Sequence, residues 1–173
     1  MDIFLQQILN GLVLGSIYAL IALGYTMVYG IMGLINFAHG EVVMFGAMVT
    51  ISVIGMLTGM GLSFPGPVVV LLALMLAIPV CMLMGFAIER IAYRPLRNAP
   101  RLAPLITAIG LSIVLQNVAI LIWGRNYIPF PPLLPHEPIN VLGASITDLQ
   151  VFIVISAIAI MAGLLFMVEK TKL

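Results

Sequence analysis

Long uncharged stretches constrain this chain more than any other feature. No Asp, Glu, Lys or Arg occurs at residues 3–40, 42–88, 103–124 or 149–168. A helix needs about 20 apolar residues to cross a hydrocarbon core of about 30 Å. Each gap is long enough for one crossing, and 42–88 is long enough for two. Leu62-Ser63-Phe64-Pro65-Gly66 supplies the turn residues that divide it. Five spans are predicted, at about 3–31, 41–60, 67–88, 104–123 and 149–168. Backbone amides in lipid must be satisfied within their own segment, so the spans are helices. The absence of alternating strand patterns argues against a barrel. The expected fold is all-α: a polytopic integral membrane helix bundle of about five transmembrane helices.

Composition excludes the soluble alternatives. Of 173 residues, 63% are hydrophobic and 8% charged, against roughly 45–50% and 25% in a soluble domain. A net charge of +1 excludes a nucleic-acid binder, which needs clustered basic residues. Cys81, the single cysteine, offers neither a disulfide framework nor a metal cluster. The N-terminus, Met1-Asp2, has no basic residue, and the apolar run after it is longer than a signal peptide's. Residues 1–173 are treated as one transmembrane domain.

The basic residues orient the spans. Arg90, Arg94, Arg97 and Arg101 follow the third span, and Lys170 and Lys172 follow the fifth. Both places are cytoplasmic by the positive-inside rule, and the parity agrees. The N-terminus and residues 124–147 then face outside. The first segment is long: residues 3–34 as one helix would measure about 48 Å. It is expected to tilt, to begin as an interfacial turn, or to break near Gly24 or Gly30, and two passes would move the N-terminus inside.

Asn36-Phe37-Ala38-His39-Gly40-Glu41 is the densest polar cluster near the membrane. A carboxylate at bilayer centre costs roughly 2.5–3.5 kcal/mol on insertion scales, so Glu41 should face protein, water or the interface. Two readings compete. In one, Asn36, His39 and Glu41 belong to a broken or re-entrant segment lining a pathway or its inner gate. In the other, the segment is a short cytoplasmic turn in which Asn36 ends one helix and Glu41 favours the start of the next. An interfacial depth favours the turn. Metal hydrolysis is not indicated, because two histidines on one helical face need His-Glu-x-x-His and the only other histidine is His136.

Gly11, Gly15 and Ala19 recur every four residues, as do Gly55 and Gly59. Such ladders let helices approach closely, within a bundle or between subunits. Arg90, Arg94, Arg97 and Arg101 have a 4-3-4 spacing that suits one helical face, although Pro95 and Pro100 interrupt such a helix. Topology accounts for these charges, and a cytoplasmic docking surface is the sharper alternative. Pro129, Pro131, Pro132, Pro135 and Pro138 make the outer segment extended rather than helical, with Trp123, Tyr127 and Phe130 as headgroup anchors. Glu169 stands where a phosphate loop needs glycine before its lysine. No nucleotide site, metal or other cofactor is expected.

Several blocks resemble one family. The opening, Asn10-Gly11-Leu12-Val13-Leu14-Gly15-Ser16-Ile17-Tyr18-Ala19-Leu20, leads into Asn36-Phe37-Ala38-His39-Gly40-Glu41. Ile88-Glu89-Arg90-Ile91-Ala92-Tyr93-Arg94-Pro95 and Ala108-Ile109-Gly110-Leu111-Ser112-Ile113-Val114-Leu115-Gln116-Asn117 follow in order. Together they resemble the branched-chain amino acid ABC transporter permeases, specifically the H-type inner-membrane subunit. Urea and short-chain amide permeases are similar. The resemblance implies a multi-pass protein of a bacterial-type cytoplasmic membrane that is not itself an enzyme. Its implied partners are a second permease subunit, two cytoplasmic ATPases and a periplasmic or extracellular substrate-binding protein, with lipid around the helices and no nucleic acid. It also moves the weight on Asn36, His39 and Glu41 toward the pathway. Relatives continue beyond Glu169-Lys170-Thr171-Lys172-Leu173, so the chain is expected to be an N-terminal portion that cannot couple ATP hydrolysis to transport alone. A passive solute channel is the competing class. A membrane enzyme would need paired ionisable groups that the spans do not supply.

Overall fold

The computed structural model describes residues 2–33, 36–61, 64–97, 99–100, 102–133, 138–141 and 144–170. Five helices carry the chain: α1 (Asp2–Met32), α2 (His39–Gly59), α3 (Gly66–Ile88), α4 (Leu102–Trp123) and α5 (Asp148–Lys170). Each is long and apolar enough to cross a membrane. Large apolar side chains project outward along them, with Leu121 84% and Met75 71% exposed, as lipid-facing surfaces require. The five predicted spans fall on the five helices. Two strands, β1 (Pro138–Val141) and β2 (Ala144–Thr147), precede α5. The chain divides into two compact units, Met1–Gly33 with Leu134–Leu173, and Leu34–Leu133.

The first unit pairs α1 with α5. Helix α1 runs unbroken through Gly24 and Gly30, about 46 Å at 1.5 Å per residue. Its hydroxyls bond back into their own helix: Ser16 Oγ donates to the Val13 carbonyl at 2.7 Å and Thr26 Oγ1 to the Leu23 carbonyl at 2.9 Å. The helix ends where the Gly33 N–H reaches the Tyr29 carbonyl at 2.8 Å with φ at 63°, a left-handed cap that glycine adopts without a Cβ clash. Gln6 near the start of α1 meets Ser145, three residues before α5. Leu23, Met27 and Gly30 near its other end share a groove with Leu164, Leu165 and Val168. The two helices therefore run in the same direction, as spans one and five must.

The outer segment is only partly as expected. Residues 124–133 are non-helical, but β1 and β2 form an antiparallel hairpin in which Ile139 faces Ile146 and Asn140 faces Ser145. Gln6 completes its edge: Oε1 accepts the Ser145 N–H at 2.9 Å while Nε2 donates to the Ser145 carbonyl at 3.1 Å. One side-chain amide thus occupies the donor and acceptor that a further strand would take.

The second unit packs α3 antiparallel to α2 and α4 parallel to it. Ile54 of α2 meets Val69 and Ala73 of α3 in the buried cluster, with Val53, Leu57 and Leu133 around it. Further along, Cys81 Sγ lies 3.8 Å from the Val42 carbonyl. Beyond Ile88 the helix continues as a π turn over Glu89–Tyr93 and a 3-10 turn over Arg94–Leu96. The basic stretch is thus wound past Pro95, which tolerates this place because a first-turn N–H has no intrahelical partner.

Close approach falls at other small residues than the glycine ladders. A Cβ on Gly11, Gly15, Gly55 or Gly59 would meet nothing within 4 Å, whereas one on Gly46 would lie 3.0 Å from Cys81 Sγ. Ala73, Ala77, Ala108, Ala119 and Ala157 are buried small positions within the helices, and Ala19 is half-buried. The four-residue spacing marks a face but not what covers it.

Gly46→Val should overpack the α2–α3 seam and cost about 1–3 kcal/mol. Because the obstructing atom is the tip of one side chain, Cys81→Ala in the same background should recover part of the loss. Thermal unfolding in detergent of both single variants and the double variant measures this. Strict additivity would refute the contact.

Candidate functional site

The candidate site is built where α2 begins. Asn36 folds its side chain forward, so Oδ1 accepts the Ala38 N–H at 3.0 Å and the Tyr93 hydroxyl at 2.7 Å. The His39 N–H meets the Asn36 carbonyl at 3.1 Å. This Asx-type turn satisfies backbone groups that a helix start would otherwise leave open. Ala38, at the cap position, is fully buried, and His39 is half-buried at the first helical position. Tyr93 is 3% exposed, which ties the turn to the extension of α3.

Glu41, in the first turn of α2, reaches α4. Its Oε1 accepts from Ser112 Oγ at 2.8 Å and from Gln116 Nε2 at 2.7 Å. The two donors also approach each other at 3.4 Å. Higher on the same pair of helices, Trp123 Nε1 donates to Ser52 Oγ at 2.7 Å, and the Trp123 ring stands edge-on to Phe45 at 5.5 Å. Such a T-shaped pair is favourable beyond its buried area. The two contacts lock the register of α2 against α4 at both levels.

That register sets the depth of Glu41. Ser112 stands about 15 Å of helix rise from Leu102 and about 17 Å from Trp123. Cys81, which meets Val42, is about 22 Å along α3 from Gly66 and about 10 Å from its end at Ile88. The carboxylate is level with the middle of α4, while on α3 its neighbour Val42 lies nearer the Ile88 end. Helix α2 therefore starts partway along its neighbours.

The other sequence candidates lie apart from this cluster. Arg90, Arg94 and Arg97 are exposed, and Arg97 lies 3.8 Å from Glu89 in a surface pair worth about 0–1 kcal/mol. Arg101, Lys172 and His136 lie outside the described residues. No group of three or more potential metal-ligating side chains occurs among the described residues. A groove of about 640 Å³ between α2 and α3 is lined by Val43, Ala47, Ile51, Leu74 and Ile78 among others. Its hydroxyl, Thr50, is already spent on the Gly46 carbonyl at 2.8 Å.

Sequence reasoning missed Tyr93, Ser112, Gln116, Ser52 and Trp123 as partners. One signal was present: Ser112 and Gln116 are four apart in an otherwise apolar span, and so share a helical face.

Five helices long and apolar enough to cross a membrane, with a carboxylate held between α2 and α4 by neutral donors, define a multi-pass membrane protein. The chain belongs to the family described as branched-chain amino acid transport system / permease component, whose model matches residues 7–173. It is 45% identical over 174 residues to the high-affinity branched-chain amino acid transport system permease protein BraD of Pseudomonas aeruginosa. It is 46% identical to the corresponding LivH proteins of Escherichia coli K12 and Salmonella typhimurium LT2. Each alignment covers 98% of this chain and 56% of the relative, so the chain spans just over half the length of the curated relatives it matches. No solved structure matches.

Proposed function

We propose that this chain forms part of the translocation pathway of a binding-protein-dependent ABC importer for branched-chain amino acids. The observation that carries the reading is the identity of 45–46% to permeases named for that transport across 98% of the chain. Five spans with almost no paired ionisable groups suit a conduit. ATP hydrolysis then belongs to two separate cytoplasmic ATPases, delivery of substrate to a periplasmic or extracellular binding protein, and the other half of the pathway to a second permease subunit. The membrane is the bacterial cytoplasmic membrane. Asn36, His39 and Glu41 are proposed as pathway or inner-gate residues, supported by the reach of Glu41 to Ser112 and Gln116 near the middle of α4. Gly11, Gly15, Ala19, Gly55 and Gly59 are proposed as helix-packing positions toward a second permease subunit, and Arg90, Arg94, Arg97 and Arg101 as the cytoplasmic docking edge.

Uptake of labelled leucine, isoleucine and valine tests this in cells lacking their own transport of these amino acids. Uptake is expected to require the chain, ATP and the external binding protein together. Uptake that survives loss of ATP would instead indicate a passive channel. Preference for urea or a short-chain amide would move the substrate class.

A further inference from the structure

Glu41 is an unusual carboxylate for its position. Both of its hydrogen bonds, from Ser112 and Gln116, fall on the same oxygen, Oε1. Among the described residues Oε2 receives none. The ion pair between Glu89 and Arg97 is elsewhere, and both donors to Glu41 among the described residues are uncharged. A carboxylate within a span is expensive, and such groups mark ion and substrate routes. Ser112 and Gln116 orient the group without neutralising it, since both are uncharged donors. The arrangement leaves one carboxylate oxygen open beside α4 with its geometry already set.

We propose that Oε2 of Glu41, aimed by Ser112 and Gln116, binds the ammonium group of an amino acid in transit. This rests on the transport reading above and names the substrate group that the site recognises. An ammonium supplies what the site lacks, a cation with N–H donors for a single open oxygen. Charge-assisted bonds of this kind are the strong ones. The bond is transient, because one oxygen in place of a full cage lets the solute leave.

Two substitutions separate this role from a mere strut between α2 and α4. Glu41→Gln keeps the side-chain length and an oxygen that accepts from Ser112 and Gln116, but removes the charge. Glu41→Asp keeps the charge but is shorter by one methylene, so it cannot reach both donors in the same way. Leucine uptake by the assembled transporter, normalised to the amount of protein in the membrane, is expected to fall in the order Glu, Asp, Gln. The Gln variant should lose roughly tenfold or more, in line with a hydrogen bond to a charged group. A strut gives the opposite order, with Gln close to wild type and Asp impaired, and that result overturns the proposal. Wild-type uptake that depends on sodium, with the dependence lost in Glu41→Gln, would assign the oxygen to an inorganic cation and also overturn it. If the wild type takes up no branched-chain amino acid, the transport reading itself fails and the proposal falls with it.

Discussion

Gly66→Ala is expected to disrupt the outer end of the α2–α3 pair through a single added carbon. A Cβ at that position would lie 1.8 Å from the Leu133 carbonyl oxygen and 2.8 Å from its carbon. The obstruction is backbone, so no rotamer change relieves it, and residues 131–133 must move away from the first turn of α3. Leu133 also packs against the buried Ile54, Val69 and Ala73, and its N–H is held by the Pro131 carbonyl at 2.9 Å. Displacing it opens that cluster at the same time. The cost should reach or exceed the upper end of the about 1–3 kcal/mol typical of overpacking. Thermal unfolding in detergent, with the yield of membrane-inserted protein alongside, measures it. An unchanged midpoint would contradict the close approach.

Ala73→Leu should be the other severe change, and more damaging than Ile54→Ala across the same seam. Ala73 and Ile54 are both fully buried where α2 meets α3. In water, truncating a buried isoleucine loses its transfer free energy as well as leaving a cavity. In lipid the surroundings are as apolar as the core, so that transfer term largely disappears and only packing remains. A leucine at 73 instead forces the helices apart along their contact. We expect a loss of about 1–3 kcal/mol for Ala73→Leu, with Ile54→Ala milder. Midpoints for both variants in the same detergent test the order, and the reverse order would mean that burial from water still governs this interface.

The crossing helices were legible because charge avoidance is a property of the chain read residue by residue. A charged group in hydrocarbon is costly whatever its neighbours, so the uncharged gaps mark the spans without any knowledge of packing. The parity expected from the basic residues requires spans one and five to run the same way, and α1 and α5 do. Helix α1 stayed whole through Gly24 and Gly30, where a break had been one of the expectations. A glycine weakens a helix by only about 1 kcal/mol relative to alanine. The missing alternative for the backbone in lipid outweighs that.

Less was legible where one element depends on another. The hairpin of β1 and β2 has four residues per strand, too few to show alternation, and Gln6 from the far end of the chain completes its edge. The glycine ladders identified smooth helix faces, but in α2 the tight contact is at Gly46, because Cys81 happens to lie opposite. For the candidate site, the polar residues themselves stood out in sequence: Asn36, His39 and Glu41 form the one polar cluster next to a span. Their depth did not. Turn chemistry at Asn36 suited an interfacial loop equally well, since the same Asx-type turn forms at any height.

By itself, then, the sequence determined that this chain lives in a membrane and how many times it can cross. Those follow from the free energy of moving each side chain between water and lipid, which sums along the chain without reference to contacts. Only the tertiary structure decided that α2 starts partway along α4 and that Glu41 turns to Ser112 and Gln116, both on one of its oxygens. Depth and hydrogen-bond partners are relations between helices. They depend on the register that Phe45, Ser52 and Trp123 set between α2 and α4, and no local pattern encodes that register.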